Sequence, residues 1–210
     1  MTSAAEWLNL LHTSGLLIAS NNPHKIHELR RLLEVSGISV FSLAERGIDS
    51  DVAETAADFA GNARLKAAAA ARLSGMPSLA DDSGLCVDAL DGAPGVYSAR
   101  YGSPELDDAG RVQHLLQELE HVKMQDRQAH FHCSIVLVAA AGGPELLFEG
   151  QAHGQIAIEA AGSNGFGYDP VFIDAESGIR FSELSAAEKD RRSHRGKALR
   201  KLAAFLQNSV

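Results

Sequence analysis

Leu79-Ala80-Asp81-Asp82-Ser83-Gly84-Leu85 sets two adjacent carboxylates, a hydroxyl and a glycine inside an apolar run. Carboxylates at the end of a buried strand are costly to desolvate unless a cation or hydrogen-bond donors meet them. Gly84 allows a sharp change of direction or close approach of the backbone to a ligand. One reading is a divalent-cation site at a strand end. The other is an acidic turn between two strands, because Asp, Ser and Gly are ordinary turn residues. If the strand persists through both acids, Asp81 and Asp82 point to opposite sides. They then do not form an acid/base dyad: one faces a metal and the other anchors the turn or a water. Glu54, in an acidic segment, offers the one further carboxylate that would suffice for Mg²⁺, an ion that prefers oxygen ligands and keeps several waters.

Cations and donors that could meet a phosphate lie elsewhere in the chain. Ser20-Asn21-Asn22-Pro23-His24-Lys25 is a polar turn opening a helix, and the N–H groups of a helix start beside Lys25 form a natural anion site. The Walker spacing is absent, and a capped helix with an exposed lysine is the competing reading. Asn62 and Lys66, four residues apart, share one helix face and either meet an anion or lie on a solvated face. Phe166 and Tyr168, flanked by Gly165 and Gly167, offer a flat surface for a base, where stacking is worth roughly 1–3 kcal/mol. A packed aromatic is the alternative, and it suits Tyr168 better than Phe166. His194 and Arg195 fall at a helix start, where the dipole disfavours cations, so they are kept for a base edge or a phosphate unless the run from Lys189 to Lys197 is simply a basic face. His130 and His132 share a strand face but lack a second ligand cluster at zinc spacing, and are read as strand residues. Ser83 lacks the Gly-x-Ser-x-Gly elbow of a hydrolytic nucleophile.

The elements that must position these residues follow from hydrophobic spacing. Residues 5–12 form a short amphipathic segment, part of an extension over residues 1–15 with no chemistry assigned. Leu16 to Ala19 is a buried strand, followed by a helix that Gly37 stops and a second strand over Ile38 to Phe41. Asp58 caps an alanine-rich helix from Phe59 to about Leu73, closed by Gly75 and Pro77. Strands are predicted over 78–81 and 85–90, a tight turn at Gly92 to Gly95, and a helix over 105–122 with Val112, Leu115, Leu116 and Leu119 on one face. Phe131 to Ala140 is a strand with a hairpin partner near Leu146 to Phe148, and Ile156 and Ile158 suggest another. Ser185-Ala186-Ala187-Glu188 has the capping-box pattern, and a last helix runs from His194 to about Gln207. The class is α/β with a mixed sheet.

A chain of 210 residues, 45% hydrophobic and 22% charged, supports one sizeable domain or two lobes sharing a core. A formal net charge of -8 argues against a broad nucleic-acid binder. Cys86 and Cys133 sit in apolar runs and read as small buried hydrophobes of a reducing compartment. With no apolar stretch of about 18–20 residues and no signal-like N-terminus, the expectation is a cytoplasmic protein without a membrane partner.

In this order the pieces resemble the noncanonical purine nucleoside triphosphate pyrophosphatases (inosine/xanthosine triphosphate pyrophosphatases). The matching stretches are Ser20 to Lys25, Glu54-Thr55, Phe59 with Asn62-Ala63 and Lys66-Ala67, and Ala80 to Leu85. They continue with Gly92 to Tyr101, Gly165 to Pro170 and Ser193 to Gly196. The resemblance implies an elongated mixed β-sheet flanked by helices, a single two-lobed domain over 16–210 with its active site in the cleft between the lobes, and a homodimer. It implies that Ser20, Asn21, Asn22, Pro23, His24 and Lys25 bind the triphosphate, with Asn62 and Lys66 contributing, and that Glu54 and Asp82 hold Mg²⁺ while Asp82 activates water. Ser83 would contact substrate. Phe166 would stack on the purine in a loop with Gly167, Tyr168 and Asp169, and Lys189, His194 and Arg195 would read its 6-keto edge. Two positions depart from the pattern: Gly61, where relatives often carry Glu, and Ser20, where Thr is common. The implied reaction is attack of water on the α-phosphorus of ITP, dITP or XTP, releasing the monophosphate and pyrophosphate. A silent purine-nucleotide sensor and a terminal-phosphate phosphatase are the competing readings.

Overall fold

The computed structural model describes residues 3–33, 37–140 and 142–207. Six strands form one mixed sheet in the order β2-β1-β3-β4-β5-β6. They are β1 (Leu16–Ile18), β2 (Val40–Ser42), β3 (Ser78–Val87), β4 (Gln128–Val138), β5 (Glu145–Ile156) and β6 (Phe172–Asp174). Strand β1 runs parallel to both β2 and β3, and β5 is antiparallel to β6. The helices are α1 (Ala4–Ser14), α2 (Pro23–Leu33), α3 (Phe59–Ser74), α4 (Asp108–Glu118), α5 (Ala186–Arg192) and α6 (His194–Gln207). The chain divides into two compact units: Met1–Asp82 with Cys133–Glu149 and Ala198–Val210, and Ser83–His132 with Gly150–Lys197.

In the first unit the sheet is buried on both faces. Successive strand side chains point to opposite sides, so Leu16 and Ile18 join Trp7 and Leu11 of α1, Leu29 and Leu33 of α2, and Leu199, Leu202 and Leu206 of α6. Leu17 and Ala19 instead meet Ala63, Ala67, Ala70 and Ala71 of α3, and the small alanine stripe lets that helix lie close to the strands. Asp58 caps α3 by accepting a hydrogen bond from Gly61 N at 2.6 Å, and Gly75 closes it in the left-handed conformation (φ 68°).

Several expectations change. The acidic stretch is not a turn: β3 carries straight through Asp81, Asp82, Ser83 and Gly84. Strand β4 is its neighbour on one side, β1 is in register with Ser78 and Leu79 just before the acids on the other, and side-chain donors meet the carboxylates. The strand ends at Val87, and Asp88–Leu90 is a 3-10 turn. Ile156 is the last residue of β5 rather than part of a new strand, and Ile158 lies beyond it, exposed. Strand β6, three residues long, has no counterpart in the sequence reading. The short amphipathic segment expected over 5–12 is longer, the eleven-residue helix α1, started by a reciprocal capping box between Ser3 and Glu6, and its Trp7 and Leu11 are fully buried. Helix α2 is given to Leu33, residues 34–36 lie outside the described residues, and Gly37, the expected stop, has a left-handed φ of 67°.

The second unit packs Leu85 and Val87 of β3 with Val112 and Leu115 of α4, Leu119 just beyond it, and Tyr168 and Leu184. At its centre Phe131, Phe172 and Phe181 pack ring against ring. Arg127, 4% exposed, donates to the carbonyls of Leu119 (2.6 Å), Val122 (2.9 Å) and Ala157 (3.0 Å), tying the end of α4 to the starts and ends of the neighbouring strands. His130 and His132 are half-buried residues of β4, and both cysteines are free. Among the described residues no helix is long and apolar enough to cross a membrane.

Candidate functional site

In the first unit, the turn after β1 is organised by its own side chains. Ser20 Oγ accepts from Asn22 N at 3.2 Å, and Asn22 Oδ1 accepts from His24 N (2.9 Å) and Lys25 N (3.2 Å). Asn22 also accepts the first helical bond through its carbonyl, from Ile26 N, so it caps α2 with Pro23 at the first helical position. Asn21 Nδ2 donates to Ser50 O at 3.0 Å. Two of the N–H groups expected to face an anion are thus engaged by Asn22, and the charge that α2 presents is the Lys25 ammonium, 3.3 Å from Asp81 Oδ2.

Because β3 persists, its two acids serve different partners. Asp81 faces Lys25, whereas Asp82 faces α3: its Oδ2 accepts from Asn62 Nδ2 at 3.3 Å and its Oδ1 from Lys66 Nζ at 2.8 Å. The same Lys66 ammonium donates to Glu54 Oε1 at 2.9 Å. Asn62, fully buried, uses its Oδ1 to hold Ala56 N at 2.9 Å and so fixes the segment that carries Glu54. Gly61 belongs to the same arrangement, since a Cβ there would stand 2.5 Å from the Ala56 methyl. An acid side chain at that position therefore requires a different course for residues 54–56. Burial pushes the Asp82 carboxyl above its ordinary value, outweighing the charge and hydrogen bond of Lys66 and the charge of Lys25, while the charge of Glu54 adds to the rise. For Lys66 burial pulls the ammonium down, but the charges of Asp82 and Asp81 and the hydrogen bonds to Asp82 and Glu54 outweigh it, and the net shift is upward.

These residues fit a Mg²⁺ ion by donor chemistry. Glu54 and Asp82 both reach a single cationic nitrogen, so both can reach one metal ion, and both donors are oxygen. Among the described residues no group of three or more His, Cys, Asp and Glu side chains is gathered for a metal. Waters and phosphate oxygens would complete the shell, as is usual for Mg²⁺.

In the second unit, Asp169 organises the glycine loop. Its Oδ2 accepts from Phe166 N at 2.8 Å and from Lys189 Nζ at 2.7 Å. Gly165 (φ 78°) allows this, because a Cβ there would collide with the same carboxylate. The Phe166 ring is half-buried, with Lys189 Nζ 4.8 Å and Arg195 Cζ 5.7 Å from its centroid. Gly167 N donates to Asp108 Oδ2 at 2.8 Å. Tyr168 is packed in the core and donates its hydroxyl to Ser98 O at 2.9 Å, with burial pushing its phenol well above the usual range. Arg195, 2% exposed, donates to Ser83 Oγ at 3.0 Å, and the buried His194 ring lies on Phe131 (4.7 Å, 11°). Ser193 caps this start of α6 by accepting from Gly196 N. The awkward cations at the helix start are therefore buried and engaged, not a solvated face.

A model of the Ham1 family matches residues 16–205. The chain belongs to the Ham1 family. Within it, a dITP/XTP pyrophosphatase of Pectobacterium atrosepticum is 43% identical over 195 residues, covering 92% of this chain and 98% of its own length. Another of Desulfotalea psychrophila is 46% identical over 189 residues, 90% of this chain and 83% of its own. Among solved structures, a HAM1 protein from Coxiella burnetii superposes with a TM-score of 0.84 at 41% identity, over 92% of this chain and 98% of its own. The Staphylococcus aureus Ham1 protein gives 0.82 at 38%, over 93% and 99%. The Ham1 match begins at Leu16, so helix α1, with its buried Trp7, lies outside the matched span.

The sequence reading gives two of these residues no role. Asp108 reads there like any acidic first-turn residue of a helix. Ser98 lies inside the matching stretch Gly92 to Tyr101 but is given no role there; its Oγ accepts from Leu85 N (2.9 Å) while donating to Gly95 O (2.7 Å).

Proposed function

We propose that this Ham1 protein hydrolyses noncanonical purine nucleoside triphosphates (dITP, XTP and ITP) to the nucleoside monophosphate and pyrophosphate in a Mg²⁺-dependent reaction. The observation that carries the reading is the Asp82 carboxylate, buried at mid-strand and shared between Asn62 and the ammonium that also holds Glu54. The relatives' pyrophosphatase activity supports it. Bound to Glu54 and Asp82, the metal would supply electrostatic neutralisation of the phosphate oxygens.

The side chains divide the remaining work. Lys25 and Lys66 offer ammonium groups to the triphosphate, and the Asn22-capped turn sets the direction of Lys25. Asp82 takes the proton of the attacking water at a carboxylate oxygen. Phe166 stacks on the purine, Asp169 and Lys189 hold its loop, and Ser83 contacts the substrate. Lys189, His194 and Arg195 form a donor set for a 6-keto group. Adenine, which presents a donor at that position, would leave buried donors unpaired. A cytoplasmic homodimer is part of the proposal and rests on the resemblance alone; sedimentation equilibrium checks the assembly.

The test is hydrolysis of ITP, dITP, XTP, GTP and ATP with and without Mg²⁺, with products identified. Monophosphate with pyrophosphate is expected from the first three. Diphosphate with phosphate would mean a terminal phosphatase, and intact nucleotide a binding module.

A further inference from the structure

We propose that Asp108, on helix α4, is a positioning residue that fixes the Phe166 platform, an inference that rests on the proposed base-stacking role of that ring. The loop has two carboxylate anchors on consecutive N–H groups. Asp169 takes Phe166 N, but it lies three residues away in the same loop and closes that loop on itself. Asp108 takes the next N–H, that of Gly167, from 59 residues earlier in the chain. It ties the segment beside the ring directly to helix α4, whereas Asp169 is held to α5 through Lys189.

The anchor is itself held firm. Asp107 caps α4, accepting from Gly110 N at 2.8 Å. The other Asp108 oxygen accepts from Arg111 Nη2 at 2.6 Å, and Arg111 also donates to Leu106 O. One turn further on, Val112 and Leu115 are buried with Tyr168 and Val171, the residues that follow the platform. Gly167 adopts φ 60°, and nothing lies within 4 Å of where its Cβ would be. The glycine is thus needed for the backbone conformation that aims its N–H at Asp108, not for space. A ring offering a face to a base gains affinity when it is already held in the bound orientation.

The experiment compares Asp108→Ala and Asp108→Asn with the wild type, by calorimetric titration with IMP and, separately, with inorganic tripolyphosphate, and by ITP kinetics. A charge-assisted bond to one half-exposed backbone N–H corresponds to about 5- to 10-fold in affinity. Asp108→Ala should weaken IMP binding and raise KM for ITP by that factor, with kcat within about twofold and tripolyphosphate binding unchanged. Asp108→Asn keeps an acceptor for Gly167 N and should restore most of the loss. An Asp108→Ala protein with unchanged IMP affinity overturns the proposal. So does an equal loss on tripolyphosphate, which would mark general loosening of the fold. If the wild type binds IMP but hydrolyses nothing, the pyrophosphatase reading fails while the calorimetry still decides the role of Asp108.

Discussion

Replacing Lys66 with methionine tests the ammonium that stands where a divalent ion would sit. Its nitrogen is 2.9 Å from Glu54 and 2.8 Å from Asp82, with all three side chains largely shielded from water. A metal ion binding both carboxylates must first displace this cation. Charge-assisted hydrogen bonds of this kind are worth about 1.5–3 kcal/mol each after desolvation. If the incoming ion displaces one such bond net, its removal in advance should tighten metal binding about 10- to 100-fold. The assay is calorimetric titration of nucleotide-free protein with Mn²⁺ and Mg²⁺. The metal-free variant should also lose about 2 kcal/mol of stability, because it leaves two carboxylates facing each other, and should regain it when metal is added. The pH dependence carries the same signature. The Lys66 ammonium is held above its ordinary value, so its contribution to stability is complete below the usual lysine range and is lost as pH rises through the raised value. The alkaline fall in melting temperature should therefore flatten in Lys66→Met. Unchanged or weaker metal affinity in the variant would refute the reasoning, since it would mean that the ammonium and the ion do not compete.

Asp82→Asn keeps the shape and one acceptor but turns an NH2 toward Asn62 or Lys66 and removes the base, so turnover should fall by at least about 10²-fold in a protein that circular dichroism shows still folded; near-normal activity would remove Asp82 from the chemistry. Arg195→Ala should narrow the preference for ITP over ATP by about tenfold, measured as the ratio of kcat/KM, whereas an equal loss on both would reassign Arg195 to the phosphates. Arg127→Met leaves two buried carbonyls and one partly buried carbonyl without their donor and should cost about 3 kcal/mol in urea unfolding; a loss below about 1 kcal/mol would show that water replaces the guanidinium.

What could be read in advance was local chemistry. Asp58 and Ser185 cap helices through bonds to residues three positions on, and such patterns are complete within a few residues of sequence. Alternation along a strand likewise separates Asp81 from Asp82 once the strand is granted. The sequence breaks the strand at Asp82-Ser83-Gly84, because its extended form there depends on β4, Asn62 and Lys66, all distant in sequence. Helix α1 was undervalued for the same reason: Trp7 and Leu11 are buried by Leu29, Leu33, Leu202 and Leu206, and a short amphipathic segment gives no sign of such partners. Three residues of β6 are too few for a period. Asp108 reaches Gly167 across 59 positions, a pairing that spacing cannot express.

The chain contains one tryptophan, Trp7. Its indole is fully buried in the first unit, and among the described residues its N–H meets no acceptor. An indole in so apolar a setting emits at short wavelength, and its spectrum moves to the red when water reaches it. Tryptophan fluorescence of the unmodified protein therefore reports one event, the docking of α1 on α2 and α6. The optical signal for the purine must come from the nucleotide or from an introduced probe near Phe166. Excited at the red edge, the natural protein serves as its own gauge of whether the first unit is intact while the base-binding loop is being altered.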